Sequence, residues 1–385
     1  MIIKKEDIQE FIKLNELTEQ DIKTELYNIY DIRTTSEKYV INKLVDYIIE
    51  DEENKKKTYE KRRSQLMFLK NLELPEQRSK EWYEMRKMKL TASSLASALN
   101  NCHFTRRDEL LLSKIEDKPY ESNDITEWGV KYEDIAISLY EELYEVKVLD
   151  FGLIPHPDFE AFGASPDGIC DDTGNMEYVS RMVEIKCPPK RKFTKNVPPH
   201  YLMQVKGQLE VCNLDECDFF QVKIEEYDNF EEYTKDYFID DDHILPGRTS
   251  LNYPKGVTLS YRKKDDIKLS YLYPKFNLSD KEYKEWIEEK KEMILQDNNE
   301  FIESKWWKIT RYECTLIKRD KDWWLDIIEN ILEFYKDLLD YQNNPEKIQS
   351  LKEKIQQSKK RKGKNNVSLP PLDGLLLVSS DEEDN

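Results

Sequence analysis

Two stretches decide how this chain is read: Ala164-Ser165-Pro166-Asp167-Gly168 and, seventeen positions on from Asp167 (184 − 167), Val183-Glu184-Ile185-Lys186-Cys187-Pro188. Side chains on a strand alternate faces, so Glu184 and Lys186 point one way and Val183 and Ile185 the other. A carboxylate and an ammonium on an otherwise apolar strand are costly to bury without a use. The first stretch sets Asp167 at a strand end beside residues that bend the chain. Strands are expected around 160–170 and 179–187, with the turn-rich Asp171-Asp172-Thr173-Gly174-Asn175 between them. That pattern reads as a hairpin, which lays Asp167 beside Glu184. Two carboxylates supply the hard oxygens that magnesium prefers. A lysine next to them can orient or deprotonate a water. The expected chemistry is metal-assisted phosphodiester hydrolysis. Each piece alone has a plainer meaning, since E-x-K is a common surface pair and SPDG an ordinary turn.

Neighbouring helices add to the set. On 199–212, Tyr201, Gln204, Val205 and Gln208 share a face, and Gln204 is placed to bond the attacking water or Lys186. On 127–145, Ile135, Leu139 and Leu143 form an apolar stripe. Glu133 of that helix is a candidate metal ligand, or a solvated helix residue. A helix around 79–88 puts Arg86 four residues after Trp82, on one side, and Thr91-Ala92-Ser93 follows just past it. The fixed donor fork of Arg86 with the hydroxyls of Ser93 and Ser165 suits a terminal phosphate. The alternative is that Arg86 pairs with Glu81 or Glu84.

The chain of 385 residues has a net charge of −18, with 36% charged and 38% hydrophobic residues. Such a surface does not coat DNA, because phosphate binding rests on Lys and Arg. A local basic groove remains compatible with it. Lys186, Lys190, Arg191, Lys192 and Lys195 are one candidate for that groove, and a solvated loop is the other reading. The run Lys55, Lys56, Lys57, Lys61, Arg62, Arg63 is either a solvated helix face or a DNA contact. No apolar stretch is long enough to span a membrane or serve as a secretory signal, so an intracellular, non-secreted protein is expected. The nucleus and a virus replication site are the candidate locations. The six cysteines contain no CxxC pair and are expected to be reduced. No phosphate-cradling P-loop is present.

Four regions are expected. Residues 1–75 form a helical extension, with Ile8, Phe11 and Ile12, then Val40, Leu44, Tyr47 and Ile48, spaced for helix faces. Residues 76–228 form a compact α/β core. Residues 229–342 are a mixed, helical region in which 279–298 and 320–341 have helical spacing, the first opened by a Ser279/Glu282 capping box. Residues 343–385 are a largely disordered tail, basic at Lys359–Lys364 and acidic at the end. In the tail, Leu375-Leu376-Leu377-Val378 followed by acids looks like a motif that binds SUMO-type modifiers. A solubilising tail is the alternative, and the basic cluster doubles as a nuclear localisation candidate.

Taken together, Gln77-Arg78-Ser79-x-x-Trp82-x-x-x-Arg86, Thr91-Ala92-Ser93, Trp128-Gly129-x-x-Tyr132-Glu133-x-x-Ala136, the two stretches quoted first and Tyr201-x-x-Gln204-Val205-x-Gly207-Gln208 resemble the phage lambda exonuclease family. These are the YqaJ-type viral recombinase nucleases of the PD-(D/E)xK superfamily. The resemblance covers residues 76–228. It implies a restriction-endonuclease-like core, a central mixed β-sheet flanked by helices. It implies a Mg²⁺-dependent DNA exonuclease, with Mn²⁺ as a substitute, acting 5′ to 3′ on duplex ends in recombination, repair or viral genome processing. Asp167, Glu184 and the Ile185 carbonyl would hold metal with Glu133 nearby. Lys186 and Gln204 would serve the water, and Arg86, Ser93 and Ser165 would hold a DNA phosphate. DNA and a single-strand annealing protein are the implied partners, and the match points to a large DNA virus. An endonuclease, an RNA-degrading nuclease and an inactive nucleic-acid-binding module on the same fold are the alternatives.

Overall fold

The computed structural model describes residues 4–365 except 16, 78, 117–122, 191–192, 194–195 and 265, with the backbone alone for 359–365. The sequence of helices opens with α1 (Lys5–Leu14), α2 (Glu19–Ile29) and α3 (Thr35–Lys70). The last spans about 54 Å at 1.5 Å per residue. A capping box fixes its start: the Thr34 hydroxyl accepts from the Glu37 amide at 3.2 Å, and the Glu37 carboxylate accepts from the Thr34 amide at 2.9 Å. Ile8, Ile22, Leu26, Ile41, Val45 and Ile48 make a small separate core. The buried stripe of α3 is therefore rotated from the expected one, leaving Val40 and Tyr47 exposed. The other half of α3 turns Leu66 and Leu69 into the main core.

Seven strands form the central sheet: β1 (Val146–Leu149), β2 (Gly168–Gly174), β3 (Met182–Lys186), β4 (Glu216–Glu226), β5 (Lys255–Lys263), β6 (Ser270–Leu272) and β7 (Asn299–Lys318), in spatial order β6-β5-β7-β4-β3-β2-β1. β3 and β4 pair in parallel, with Glu184 opposite Phe219. The remaining neighbours run antiparallel. This is the mixed sheet flanked by helices that the sequence implied. β4 is buried on both faces, so Cys217, Phe219, Phe220, Val222 and Ile224 read as a nearly continuous apolar run. Phe219 joins one core and Phe220 the other. On one face packs α6 (Asp124–Tyr144), and on the other α7 (Pro199–Val211), the crossover between β3 and β4. Around the α7 side lie α4 (Lys80–Met88) and α5 (Arg107–Ile115). α8 (Asp280–Gln296), opened by the expected Ser279/Glu282 capping box, packs on β7 and β5. α9 (Lys321–Gln342) and α10 (Pro345–Asn365) close the α7 side.

Three expectations change. Asp171–Gly174 is strand rather than turn, because β2 runs on to pair Gly174 with Val146 of β1; the chain reverses instead around Met176–Tyr178. The boundary at 228 does not isolate the core, because the outer edge of β4 has backbone groups to satisfy and β7 supplies them along its length. The tail is not disordered from 343. Pro345 opens α10, where prolines are well tolerated, and Leu351 and Ile355 are buried in the main core. The expected modifier-binding motif at Leu375–Val378, and the side chains of the Lys359–Lys364 cluster, lie outside the described residues.

The basic run of α3 also has an outcome that neither reading foresaw. Lys61 pairs with Asp215 at 2.6 Å, Arg62 with Glu216 at 2.5 Å and Arg63 with Asp172 at 2.8 Å, while Lys70 meets Asp171 at 3.0 Å. These cations fasten the long helix to the sheet. No helix among the described residues is long and apolar enough to cross a membrane, and all six cysteines are free.

Candidate active site

The hairpin of β2 and β3 places Gly168 opposite Val183, and so brings Asp167 to the start of the Glu184–Lys186 segment. Asp167 Oδ2 accepts from the Ile185 amide at 2.7 Å and lies 3.8 Å from Lys186 Nζ. Lys186 donates to Glu184 Oε1, and to the Ile185 carbonyl at 3.0 Å. Glu184 is fully buried. Its Oε1 also accepts from Gln204 Nε2 at 2.6 Å, and its Oε2 from Gln208 Nε2 at 2.7 Å. Gln204 thus touches the carboxylate rather than Lys186. Gln208, one turn along the same face of α7, completes the cradle. Because α7 is the crossover between β3 and β4, its two glutamines stand over the strand that carries Glu184.

One ammonium cannot neutralise two carboxylates. Burial and the neighbouring Glu184 charge push the Asp167 carboxyl well above the ordinary carboxylate range. Burial works against the Lys186 charge, but Glu184 and Asp167 outweigh it and hold its pKa above that of an ordinary lysine. The group lies at a cavity of about 420 Å³ whose opposite wall is α6, from Ile125 to Glu133. Glu133 faces the same cavity and adds to the negative potential at Asp167. It does not join the other acids as a close ligand: among the described residues no three His, Cys, Asp or Glu side chains converge tightly enough to hold a metal.

The donor set nevertheless fits a hard divalent cation. Asp167 Oδ2, Glu184 Oε1 and the Ile185 carbonyl oxygen already surround one cation, the Lys186 ammonium. All three are the oxygens magnesium takes, and the excess negative charge calls for more than a single positive one.

A second cluster lies on the other side of Ser165. Trp82 Nε1 donates to Ser165 Oγ at 3.1 Å, the Arg86 guanidinium stacks over the Trp82 ring at 4.3 Å, and Arg86 Nη2 donates to Ser93 Oγ at 3.1 Å. The structure therefore brings Arg86, Ser93 and Ser165 together through Trp82. Glu84 pairs with Lys80 instead, and among the described residues Arg86 has no carboxylate partner. Burial lowers the Arg86 pKa, yet an arginine stays charged in a protein. Beneath it sits Lys114 of α5, only 8% exposed. Its Nζ donates at 2.7 Å to the carbonyls of both Arg86 and Lys89. Burial and the Arg86 charge push Lys114 down to about 7. The sequence showed no sign of this residue, since one lysine in Arg-Asp-Glu-Leu-Leu-Leu-Ser-Lys-Ile reads as solvent-facing. The two clusters are linked: Gln208 Nε2, bonded to Glu184, also approaches the Ser165 carbonyl at 3.4 Å.

Residues 81–215, which hold both clusters, match the family model described as the YqaJ-like viral recombinase domain. This stretch is similar to that family. The sequence is 30% identical over 327 residues to an uncharacterised protein of Acanthamoeba polyphaga mimivirus, covering 77% of this chain and 58% of that protein. It is 26% identical over 160 residues to a protein of African swine fever virus, covering 35% of this chain and 46% of that one. The chain thus spans about half the length of the curated relatives it matches. Among solved structures, an alkaline exonuclease (LHK-Exo) from Laribacter hongkongensis superposes with a TM-score of 0.39 at 20% identity, over 72% of this chain and 99% of that one. The matched stretch begins just inside α4 and ends just before β4, so the sheet continues beyond it through β4, β7, β5 and β6.

Proposed function

We propose that this chain is a divalent-metal-dependent DNA nuclease that acts on duplex ends, 5′ to 3′, with a preference for a 5′-terminal phosphate, in recombination, repair or viral genome processing. The observation that carries the reading is the juxtaposition of two unlike clusters across Ser165–Asp167. One has more carboxylate than its lysine can neutralise. The other has a partly buried arginine and, among the described residues, no acid partner for it.

Asp167, Glu184 and the Ile185 carbonyl would hold Mg²⁺, or Mn²⁺ in its place, with Glu133 at the cavity wall. When bound, such a cation stabilises the charge that builds on a phosphoryl group under attack. The protein's own groups do the rest. Gln204 and Gln208 fix the Glu184 carboxylate by one bond to each oxygen. Lys186 Nζ keeps its proton while both carboxylates face it, and is positioned to orient the attacking water or to exchange a proton with it. Arg86 and the hydroxyls of Ser93 and Ser165 bind the terminal phosphate, whose extra charge suits an arginine without an acid partner better than an internal phosphodiester does. Trp82 holds Arg86 and Ser165 in register.

The Arg86 cluster, which has no carboxylate partner among the described residues, favours an end-directed enzyme over an endonuclease or an RNA-degrading nuclease. The test is digestion of linear duplex DNA, closed circular DNA and RNA of equal length, with Mg²⁺ and with EDTA. The reading expects Mg²⁺-dependent loss of the linear duplex alone. Equal cutting of circles moves the protein to the endonuclease class, and no cutting of any substrate leaves a binding module. A single-strand annealing protein as partner belongs to the same reading.

A further inference from the structure

Two glycines sit inside helices that face the site, and they differ in why they are there. Gly207 of α7 is packed: a Cβ there would lie 3.2 Å from the Phe162 ring and 3.3 Å from Leu95. Gly129 of α6 is not. A Cβ added at Gly129 meets nothing within 4 Å, and the residue has ordinary helical backbone with no positive φ. A glycine in a helix interior costs stability relative to alanine, because the unfolded chain gains freedom and no side chain packs. Neither neighbouring atoms nor backbone conformation explain this one. Its position does. Ile125, Gly129 and Glu133 recur at four-residue spacing along the wall of the cavity that holds Asp167 and Lys186. Gly129 is the point where that wall presents bare backbone.

We infer that Gly129 keeps the cleft open so that the sugar–phosphate backbone of a nucleic-acid strand lies directly against α6, in the cavity that Asp167 and Lys186 also line. The inference rests on the nuclease reading for the identity of the occupant. The glycine exchanges helix stability for a close approach that any side chain would obstruct.

The test uses the full chain with Gly129→Ala and Gly129→Leu. Melting temperature is measured beside the affinity for a fluorescein-labelled duplex in EDTA, where no metal-dependent cutting occurs, and KM and kcat are measured with Mg²⁺. Both variants are expected to melt at or above the wild-type temperature, since open space receives the side chain and helix propensity improves. Affinity is expected to fall by about tenfold for Ala and further for Leu, a graded obstruction of a close contact. KM is expected to rise in step, with kcat changing less. Wild-type affinity in both variants overturns the inference. So does a lower melting temperature for Gly129→Ala, which would make the glycine structural. If wild type binds the duplex but never cuts, the nuclease reading fails while the affinity series still decides the role of Gly129. If wild type binds neither DNA nor RNA, both fall.

Discussion

The basic residues of α3 and the pair Arg86 and Lys114 are alike in kind and lead opposite lives. On α3, Lys61, Arg62, Arg63 and Lys70 each meet an acid of the core, Asp215, Glu216, Asp172 and Asp171. Beside Ser165, Arg86 meets a ring and a hydroxyl, and Lys114 meets two carbonyls. With 78 acidic residues against 60 basic ones, a cation in this chain finds a carboxylate easily. A run of Lys and Arg in the sequence is therefore a poor guide to where an anion binds. The better guide is a cation that the fold has left without an acid, because desolvating a charge without a counter-charge is expensive unless a ligand supplies one. Lys186 is the intermediate case, a cation among more negative charge than it can cancel, and under the proposed function it marks the place for a second cation.

The largest effect should come from that intermediate case. Lys186→Ala and Glu184→Gln should each lower the rate of DNA digestion by about 10²–10⁴-fold, with folding retained by circular dichroism. Wild-type cutting by Lys186→Ala would remove the lysine from the chemistry. Arg86→Ala should follow, losing a charge-assisted bond worth about 1.5–3 kcal/mol, or roughly ten- to a hundredfold in rate on a phosphorylated end. Arg62→Ala is the matched control on α3. It breaks a largely buried pair, but Glu216 keeps Arg181 at 2.6 Å. A loss of about 1 kcal/mol in stability, a shift of about 1 °C in Tm, is expected, with digestion unchanged. If Arg62→Ala cuts as poorly as Arg86→Ala, the distinction between paired and unpaired cations collapses. The exposed Arg63→Ala should alter neither quantity measurably.

A pH series sharpens the same contrast at the carboxylates. The folded protein raises the Asp167 pKa, so it holds that proton more tightly than the unfolded chain does. Stability is therefore lost as pH rises through the ordinary carboxylate range toward the raised folded value, and the loss is complete above it. In EDTA, Asp167→Asn should melt higher than wild type at pH 8, and the difference should shrink toward pH 4. Adding Mg²⁺ at pH 8 should raise the wild-type Tm and leave the variant's unmoved. A variant that melts lower than wild type at pH 8 would contradict this account of the site.

Much of the fold was legible because it repeats simple periods. The Glu184/Lys186 alternation, the helix face of Gln204 and Gln208 and the hairpin between β2 and β3 all follow from local spacing. What local spacing cannot show is which edge a strand completes. Nothing in Asp171–Gly174 announces that Val146 will extend the strand there, and nothing near 228 says that β7 will run the length of β4. α10 was missed because Leu351 and Ile355 are its buried anchors, too few for a clear stripe amid lysines and glutamines. Lys114, and the lack of a carboxylate partner for Arg86 among the described residues, were hidden for a different reason. Pairing is a three-dimensional property, and of the acids on its own helix Glu84 pairs with Lys80 instead.

The most direct test of the central claim compares digestion of one linear duplex bearing either a 5′-phosphate or a 5′-hydroxyl, with Mg²⁺, by wild type, Arg62→Ala and Arg86→Ala side by side. Wild type and Arg62→Ala should prefer the phosphorylated end by about ten- to a hundredfold, and Arg86→Ala should digest both ends equally at a residual Mg²⁺-dependent rate. Equal digestion of the two ends by wild type would show that the unpaired Arg86 cluster does not read a terminal phosphate.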